Sequence, residues 1–442
     1  MELRDYQSDL IRRTYESMRN GNKRVLVCSP CGSGKSYMFA KMIEDSRSEV
    51  LVLTHRKELK AQHEKLMDSL GIHNFRVAMI QTEANRLGYY KRPHLIVADE
   101  AHLSRSDSWQ KVIEYYDCYT AGFSASPIRL DSKPLGDIFS DMVVGITVKE
   151  LIRQKRLAPY IYYAPFTVDA EGVKKSNGDY QISELEQLMN DRAIYSNAIN
   201  SWAKFAYGQK TICYCVSVKH AEMVAESFNK TGIPAAAVSG QTPEKQREKI
   251  MQDFRDGKIL VMCNCNIISE GVSIDDVMCC LMLRPTDSLA LNIQQSQRCM
   301  RYLPNKTAVI LDCVGNYTRH GLPDDEHEWS LTQSVKRKPS MDSSGNLYVR
   351  TCPNCFQIFK TADVCPYCGE PYPLSAREIK AHEEIELKKI EAEEMEKLAE
   401  VKKRQRMEVG RARTIDDLWR IARERNYAPG WVYKMAKVKG IQ

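Results

Sequence analysis

The 442-residue sequence lacks long apolar stretches, and none approaches the roughly 18 residues that a membrane-spanning helix requires. Its opening segment, MELRDYQSDLIRRTYESMRN, carries charges throughout and lacks the apolar core of a secretory signal. A strong excess of one charge is also missing, because 64 basic and 57 acidic residues leave a formal net charge of +7. That imbalance is weak evidence for an anionic partner. We therefore expect a cytoplasmic protein that neither enters a membrane nor is exported.

Cysteine is plentiful, and its placement bears on the cellular compartment. Of the 15 cysteines, four cluster near the C-terminus and the other eleven are scattered. Several of the scattered ones lie in apolar, strand-like runs, where a reduced cysteine is an ordinary small core residue: Cys28, Cys213, Cys215, Cys279 and Cys280. Without an export signal, this pattern indicates a reducing compartment.

The strongest local signal is RVLVCSPCGSGKSYMFAKMIEDS, which predicts a strand, a glycine-rich turn and an amphipathic helix. Its Ser-x4-Gly-Lys-Ser spacing is that of a P-loop, although a serine stands first where glycine is usual. Loop amides would cradle phosphates, Lys35 would neutralise the outer phosphates, and the Ser36 hydroxyl suits Mg²⁺. A chance glycine-rich turn is the alternative, which the strand–turn–helix context disfavours. The predicted nucleotide-binding residues are Ser29, Pro30, Cys31, Gly32, Ser33, Gly34, Lys35 and Ser36.

A second signal, HLIVADEAH, follows some 60 residues later. Four apolar residues predict a buried parallel strand that ends at Asp99 and Glu100, and such strand ends are where α/β sheets bind ligands. Asp99 would hold Mg²⁺, and Glu100 would orient or deprotonate the attacking water. An acidic pair at a strand end is otherwise an ordinary helix cap. Its combination with the P-loop favours phosphoryl transfer.

From about residue 190 strands and helices alternate again, but without a second P-loop. TICYCVS predicts a strand, and VKHAEMVAESFNKTG predicts a helix ended by Gly232. The next helix is expected to have Thr242 as its cap and Pro243 at its first position. We infer a second parallel α/β lobe that completes the ATP site across a cleft.

The stretch QQSQRCMR carries Arg298 and Arg301 on a predicted helix that begins near Ser288. One interpretation is a solvated helix face, because charged helix faces are common. The other is a pair of arginines that reach from the second lobe to the transferring phosphoryl group. Such arginines raise phosphoryl-transfer rates by about 10³–10⁵. We favour the second interpretation.

Near the C-terminus, CPNCFQIFKTADVCPYCGE carries two Cys-Pro-x-Cys turns nine residues apart. Four thiolates at this spacing suit a tetrahedral Zn²⁺ ion, and the closed ligand set predicts a structural role. The predicted ligands are Cys352, Cys355, Cys365 and Cys368, with Gly369 in a tight turn. Disulfides would need an oxidising compartment. Whether such a ribbon docks on nucleic acid or protein stays open.

Residues 374–442 read as a helical tail. A long charged helix is expected first, and its thin apolar stripe would pack on the lobes or on a partner. Two short helices around a Pro-Gly turn follow, with Thr414 capping the first. Aromatic residues alternate there with Arg and Lys, which predicts either a nucleic-acid surface or the core of a small module: Trp419, Tyr427, Trp431 and Tyr433.

Several segments, in the same order, resemble motifs of the superfamily 2 helicases and translocases. The first matching motif is DEAH, which follows a P-loop in the sequence. LRDYQ is similar to a Q-motif-like element, which implies that Gln7 reads adenine. QQSQRCMR resembles the final motif, Gln-x-x-Gly-Arg-x-x-Arg, through Gln294, Arg298 and Arg301. The linker after the first lobe and the C-terminal tail resemble those of phage- and prophage-type DEAD/DEAH-box helicases.

Further site residues follow from this resemblance. LVLTHRKELKAQ and MIQT are similar to segments that contact a nucleic-acid backbone, and GFSASPIRLD is similar to the motif that couples this track to the ATP site. The implied nucleic-acid contacts are Thr54, Arg56 and Gln81. The implied coupling residues are His102, Ser124, Ser126 and Gln294. Gly271 is implied to contact the nucleotide. ATP and Mg²⁺ are the implied cofactors, beside structural Zn²⁺.

The expected fold is α/β, with two tandem RecA-like parallel-sheet lobes followed by a small zinc ribbon and a helical tail. We place the first lobe at residues 1–150, the linker and second lobe at 151–340, the ribbon at 345–373 and the tail at 374–442. In such a motor, ATP sits between the lobes and hydrolysis moves them along a strand.

Departures from the family pattern cluster in the second lobe. Gln297 stands where glycine usually precedes the first arginine. Cys263, Asn266 and Ser273 stand where threonine, aspartate and aspartate are typical, while Gly271 is kept. These are either tolerated variants of an active motor or changes that weaken coupling or alter nucleotide preference.

The resemblance implies an ATP-driven helicase or translocase on single-stranded, forked or branched DNA, serving replication or recombination with proteins of those processes. DNA is favoured over RNA because the linker and tail resemble the phage group, which is analogy rather than site evidence. Two alternatives stay open. One is a slow, nucleotide-gated clamp or recruitment platform that does not unwind, and the other is an RNA helicase.

Overall fold

The computed structural model of the protein describes most of the chain. The described residues are 2–104, 106–128, 134–168, 170, 172–176, 178–189, 192–265, 274, 276–333, 349–360, 364–371, 412–424 and 429–441. The chain divides into two compact units, Met1–Thr361 and Ala362–Gln442, which are treated separately below.

The first lobe is built on a six-stranded parallel sheet. Its strands are β1 (Arg24–Cys28), β2 (Val50–Thr54), β3 (Phe75–Met79), β4 (Leu95–Ala98), β5 (Tyr119–Ser124) and β6 (Asp141–Val144). They lie in the order β3-β2-β4-β5-β1-β6. The apolar runs VLVC, VLVLT and LIVA are buried along their whole length, as expected for strands covered on both faces.

Helices cover both faces of this sheet. They are α1 (Asp5–Arg19), α2 (Lys35–Asp45), α3 (Lys57–Ser69), α4 (Ile80–Ala84) and α5 (Asp107–Tyr116). Side chains alternate along β1: Val25 and Val27 join the apolar cluster under α1 and α2, whereas Leu26 joins the cluster under α4 and α5. The sheet is thereby held between two apolar layers, and its carboxyl edge stays open for ligands.

The second lobe has the same plan. Its sheet strands are β7 (Tyr160–Tyr163), β10 (Thr211–Tyr214), β11 (Ala235–Ser239), β12 (Val261–Cys265), β13 (Cys279–Met282) and β14 (Ala308–Asp312), and β8 (Lys175–Ser176) with β9 (Asp179–Tyr180) forms a separate hairpin. The parallel order is β11-β12-β10-β13-β14-β7. Its helices are α6 (Val148–Arg153), α7 (Ile182–Met189), α8 (Arg192–Phe205), α9 (Val218–Lys230), α10 (Glu244–Arg255), α11 (Leu289–Ser296) and α12 (Asn316–His320). The predicted pair of parallel α/β lobes is confirmed.

One helix start differs from its prediction. The helix α10 begins at Glu244 with Pro243 at the cap position, and no side-chain cap is formed. The Thr242 hydroxyl instead accepts a hydrogen bond from the N–H of Ser239 at 2.9 Å. Thr242 therefore closes the turn after β11, and Pro243 takes the cap position of α10 that was expected for Thr242.

The two lobes are joined by more than the connecting chain. The N–H of Gly136 in the first lobe donates to the carbonyl of Leu331, beyond the second sheet, at 2.8 Å. A Cβ at Gly136 would lie 2.4 Å from that carbonyl oxygen, so this approach requires glycine. Arg247 of α10 also pairs with Glu58 of α3 at 3.2 Å. The cleft between the lobes is thus bridged at separate places.

A short hairpin ends the first unit. It consists of β15 (Val349–Thr351) and β16 (Ile358–Lys360), which pair antiparallel. The residues between them add a bridge from Gln357 to Tyr163, and the Ala164 N–H donates to the Phe356 carbonyl at 3.0 Å. Since β7 is an edge strand, the hairpin covers part of an exposed sheet edge.

The second unit contains a two-helix module, α13 (Ile415–Glu424) and α14 (Pro429–Lys439). Thr414 and Asp417 cap the first helix reciprocally, at 3.0 and 3.1 Å. Trp419 and Trp431 pack against the small apolar core, whereas Tyr433 is 62% exposed. The predicted charged helix before this module and Tyr427 lie outside the described residues. Among the helices that the structure describes, none has both the length and the apolar character needed to cross a bilayer.

Candidate active site

The P-loop lies between β1 and α2 at the carboxyl edge of the first sheet. Gly32 and Gly34 have φ values of 80° and 83°, which are open to glycine and strained for other residues. The Ser29 N–H donates to the Ser124 carbonyl at 2.9 Å, and its hydroxyl donates to the Ser33 hydroxyl at 2.7 Å. Lys35 Nζ donates to the Ser29 carbonyl at 3.2 Å. The loop is therefore curled in the form that presents amides to a phosphate.

Asp99 and Glu100 follow β4, next to the P-loop. Asp99 is 5% exposed. Its carboxylate accepts from His63 Nε2 at 2.9 Å and from the Glu100 N–H at 3.0 Å. Burial opposes its charge, but the hydrogen bond from His63 and the Lys35 ammonium keep the Asp99 pKa below its usual value. A carboxylate that stays ionised beside a P-loop hydroxyl fits Mg²⁺, which prefers oxygen ligands. Ser36 and Asp99 are the residues that would hold this ion.

Glu100 has an unusual backbone. Its φ of 51° and ψ of 50° place a non-glycine residue in the left-handed region. Such strain persists only where the surrounding structure enforces it, and it is common at functional sites. The conformation turns the chain directly after Asp99, so that both carboxylates line one cavity.

A buried row of polar side chains connects the two lobes. Nδ1 of His102 lies 3.2 Å from the Ser124 hydroxyl, and its Nε2 lies 3.4 Å from the Gln294 amide nitrogen. The Ser124 hydroxyl donates to the Ser126 carbonyl at 2.7 Å. Gln294 belongs to α11 in the second lobe and is 2% exposed. The four residues expected to couple the lobes are thus in contact with one another, and their coupling role remains a prediction.

The arginine segment differs from its predicted helix. The helix α11 has Ser288 as its cap, as expected, but it ends at Ser296. Arg298 lies in a 3-10 turn, Gln297–Met300, and Arg301 follows it in an extended conformation. Arg301 forms a bridge with Leu157, and the Ala158 N–H donates to the Met300 carbonyl at 2.8 Å. Because residues 300 and 301 pair with the linker, the segment that carries the arginines does not continue α11.

The two arginines share a cavity with the P-loop and the acidic pair. Its volume is about 730 Å³, which is in the range of ordinary ligand pockets. Its lining includes Gln7, Cys31, Gly32, Gly34, Lys35, Ser36, Asp99, Glu100, Arg298 and Arg301. Both lobes thus contribute to one concave site, and a solvated helix face does not describe the arginines.

Gln7 is held against the P-loop. Its side-chain nitrogen donates to the Ser33 carbonyl at 2.9 Å, and its oxygen accepts from the Arg4 N–H at 3.1 Å. Tyr6 also donates to the Ser33 carbonyl, at 2.9 Å. A Cβ at Gly34 would lie 2.4 Å from the Gln7 amide nitrogen. In this arrangement Gln7 supports the loop, and its expected reading of adenine remains a prediction.

The expected nucleic-acid contacts differ in their exposure, and their roles remain predictions. Thr54 is fully buried at the end of β2, so its side chain is not positioned to touch a nucleic acid. Arg56 is half-buried and bonded to the His55 ring at 3.1 Å, and Gln81 is exposed at the start of α4. Gly271, Asn266 and Ser273 lie outside the described residues.

Two residues of the site were not found by sequence reasoning. His63 lies on α3, and its contact with Asp99 spans 36 residues. Leu157 lies in the linker, where its side chain would be 2.7 Å from a Cβ at Gly32. Neither residue is part of a chemical motif. The one sequence signal for His63 is a histidine on the inner face of the helix that begins within HRKEL.

The predicted zinc ligands lie together. The sulfur atoms of Cys352, Cys355, Cys365 and Cys368 are within 4.8 Å of one another. Each Cys-Pro-x-Cys turn ends at a residue with positive φ, Phe356 at 59° and Gly369 at 77°. Four convergent thiols on two such turns are the donor set of a structural zinc ribbon, so the residues fit this ion.

Known proteins share both halves of this architecture. The family model for the type III restriction enzyme res subunit matches residues 1–88, and the model for the helicase conserved C-terminal domain matches residues 192–303. A 51.5 kDa protein of a Lactococcus phage (isolate 7-9) is 35% identical over 382 residues, 84% of this chain and 83% of that protein.

More distant matches agree in fold. The putative ATP-dependent helicase IRC3 of Saccharomyces cerevisiae is 29% identical over 358 residues, which are 71% of this chain and 51% of that protein. The solved structure of the ATP-dependent Type ISP restriction-modification enzyme LlaBIII bound to DNA matches with a TM-score of 0.51 and 14% identity. That match covers 74% of this chain and 29% of the enzyme, and it speaks for the fold alone.

Proposed function

Because this chain belongs to the superfamily 2 helicases and is a nucleic-acid-dependent ATPase of that kind, we propose that it moves on or remodels DNA, in replication or recombination. Family membership implies ATP and Mg²⁺ as cofactors. The choice of DNA rests on two similarities. The linker and tail resemble those of phage-type helicases, and the chain is 35% identical in sequence to a phage protein. The many cysteines buried in the cores of the two lobes support action in a reducing cytoplasm.

One observation carries the proposal: the P-loop and acidic pair of the first lobe line the same cavity as the arginines of the second. Lys35 neutralises the outer phosphates, and Ser36 with Asp99 holds Mg²⁺. Glu100 positions the attacking water, while Arg298 and Arg301 stabilise charge on the transferring phosphoryl group. Since four of these residues belong to the first lobe and two to the second, turnover requires closure of the cleft.

The buried row from Ser126 to Gln294 is proposed to link closure to movement. His102 is its centre, because it lies against Ser124 of the first lobe and Gln294 of the second. Ser124 is the last residue of β5, and its carbonyl accepts a hydrogen bond from the Ser29 N–H, so the row also touches the P-loop. A movement of α11 relative to the first lobe would therefore change the position of the P-loop residues that bind the phosphates.

DNA is proposed to cross the carboxyl edges of the two sheets. Arg56 and Gln81 stand after β2 and β3, where a phosphate backbone would pass. Contacts to phosphates fix register without reading bases. The four cysteines of the ribbon are proposed to hold one structural Zn²⁺.

The deciding experiment compares ATP hydrolysis and strand displacement on matched DNA and RNA forks. Stimulation by DNA with displacement, both lost in Glu100→Gln, is the expected result. Glu114→Gln is the control, because Glu114 is an exposed carboxylate on α5. DNA-stimulated hydrolysis without displacement on any fork would favour the clamp, and stimulation by RNA alone would identify an RNA helicase. Absence of both activities would refute the motor.

A further inference from the structure

Two Cys-x-Cys pairs lie on neighbouring strands of the second sheet, apart from the ribbon. We propose that Cys213, Cys215 and Cys263 form a second metal site, which takes one thiophilic cation with a filled d shell, such as Cu⁺, Cd²⁺ or Zn²⁺.

The strand register brings the two pairs together. In CYC, Cys213 lies in β10 and Cys215 directly follows the last residue of that strand, whereas CNC occupies 263–265 at the end of β12. These strands pair parallel, with Cys213 opposite Cys263. The chain stays extended enough beyond β10 that the sulfurs of Cys213 and Cys215 lie on one side, in contact with each other. The partner strand adds the third sulfur on that side.

The distances suit a shared cation. The three sulfur atoms lie within 4.8 Å of one another, and those of Cys213 and Cys215 are 3.7 Å apart. With metal–sulfur bonds of about 2.3 Å, sulfurs in tetrahedral or trigonal sites lie about 3.8–4.0 Å apart. Coordination therefore needs shifts of about 1 Å at most, within the reach of side-chain rotation. No backbone rearrangement is required.

The surroundings of the group suit a soft ion. All three side chains are at most 1% exposed. They lie in the apolar core of the second lobe. Sulfur ligands in such a setting select soft ions over hard ones.

A fourth cysteine stands at the rim of the site. Cys265 follows Cys263 by two residues, but its thiol donates to the Val216 carbonyl at 3.7 Å. The proposed site therefore has three protein ligands, which suits ions that accept trigonal coordination. An ion there would tie the end of β10 to the end of β12.

The test measures Cd²⁺ uptake by the full-length protein with its ribbon intact. Wild-type protein is expected to bind one more Cd²⁺ than Cys263→Thr, which restores the residue typical of the family. The extra ion should give thiolate-to-cadmium absorption and release protons, because cysteine binds a metal as the thiolate. Cys213→Ala should also lose the extra ion. Equal uptake in wild type and both variants would overturn the proposal.

Matched controls separate this site from the ribbon and from misfolding. Cys279→Ala removes a buried thiol from β13, on the other side of β10, and should keep the extra ion. Cys355→Ser should lose only the ribbon ion. Thermal unfolding and ATP hydrolysis identify variants that fail to fold. An extra ion that persists in folded Cys263→Thr would place it elsewhere and refute the site.

Discussion

The side-chain oxygen of Gln297 accepts a hydrogen bond from the backbone N–H of Cys31, at 3.3 Å, across the cleft. The other end of the same amide donates to the Pro323 carbonyl, also at 3.3 Å. Gln297 is 4% exposed and directly precedes Arg298. The residue that replaces the usual glycine thus fixes the arginine turn to the P-loop on one side and to the chain beyond the second sheet on the other.

Replacing Gln297 with glycine should slow ATP turnover. The substitution removes one hydrogen bond between the lobes beside Arg298, and such a bond is worth about 0.5–1.5 kcal/mol, or about 2- to 12-fold in kcat if it forms in the closed state. We expect a fall in kcat of that size under saturating nucleic acid. Gln297→Ala should behave similarly, which separates loss of the bond from the flexibility of glycine. Faster turnover in both variants would mean that the side chain crowds the cleft.

His63 should govern the Mg²⁺ requirement. It donates to Asp99 at 2.9 Å and is 1% exposed, so His63→Ala frees the carboxylate to rotate. Loss of a partner that orients a metal ligand typically costs 10- to 100-fold in metal affinity. We expect the Mg²⁺ concentration for half-maximal hydrolysis to rise about 10-fold, with kcat largely recovered at high Mg²⁺. His73→Ala, an exposed residue just after α3, is the control. An unchanged Mg²⁺ titration would show that the contact is only structural.

His102 and Gln294 should act as a unit. Each single alanine variant should lower the ratio of nucleic-acid-stimulated to basal hydrolysis, because either change breaks the buried row between the lobes. The double variant should be little worse than either single one, with an interaction energy of about 0.5–3 kcal/mol. The four proteins are compared in one hydrolysis assay. Additive losses would show that the two side chains act separately.

The sequence predicted the fold and the first-lobe site well because their signals are local. A strand, a glycine-rich turn and a helix follow one another at the P-loop, and Asp99 and Glu100 follow directly on their strand. The family and the paired α/β lobes are confirmed. The roles of the individual site residues remain predictions.

The missed features depend on contacts between distant parts of the chain. Nothing near Arg298 signals that the helix ends early, because the linker at Leu157 and Ala158 pairs with that segment. His63 reaches Asp99 only once α3 packs on the sheet. The juxtaposition of Cys213 and Cys263 depends on strand register, which a scan for local motifs does not give.

Removing the ribbon ion should loosen one edge of the second lobe and spare the ATP site. The ribbon is too short for its own core, so its fold depends on the metal. Its first turn is attached to β7 through the Gln357–Tyr163 bridge, and Lys204 lies 4.9 Å from the Phe356 ring. We expect Cys352→Ser to lose one equivalent of zinc and to speed amide exchange at Ala164, whose N–H bonds to Phe356. Exchange in β1 should not change, because that strand lies in the first sheet. Full zinc content in Cys352→Ser would contradict the ribbon, and slow exchange at Ala164 after zinc loss would show that the hairpin folds without the ion.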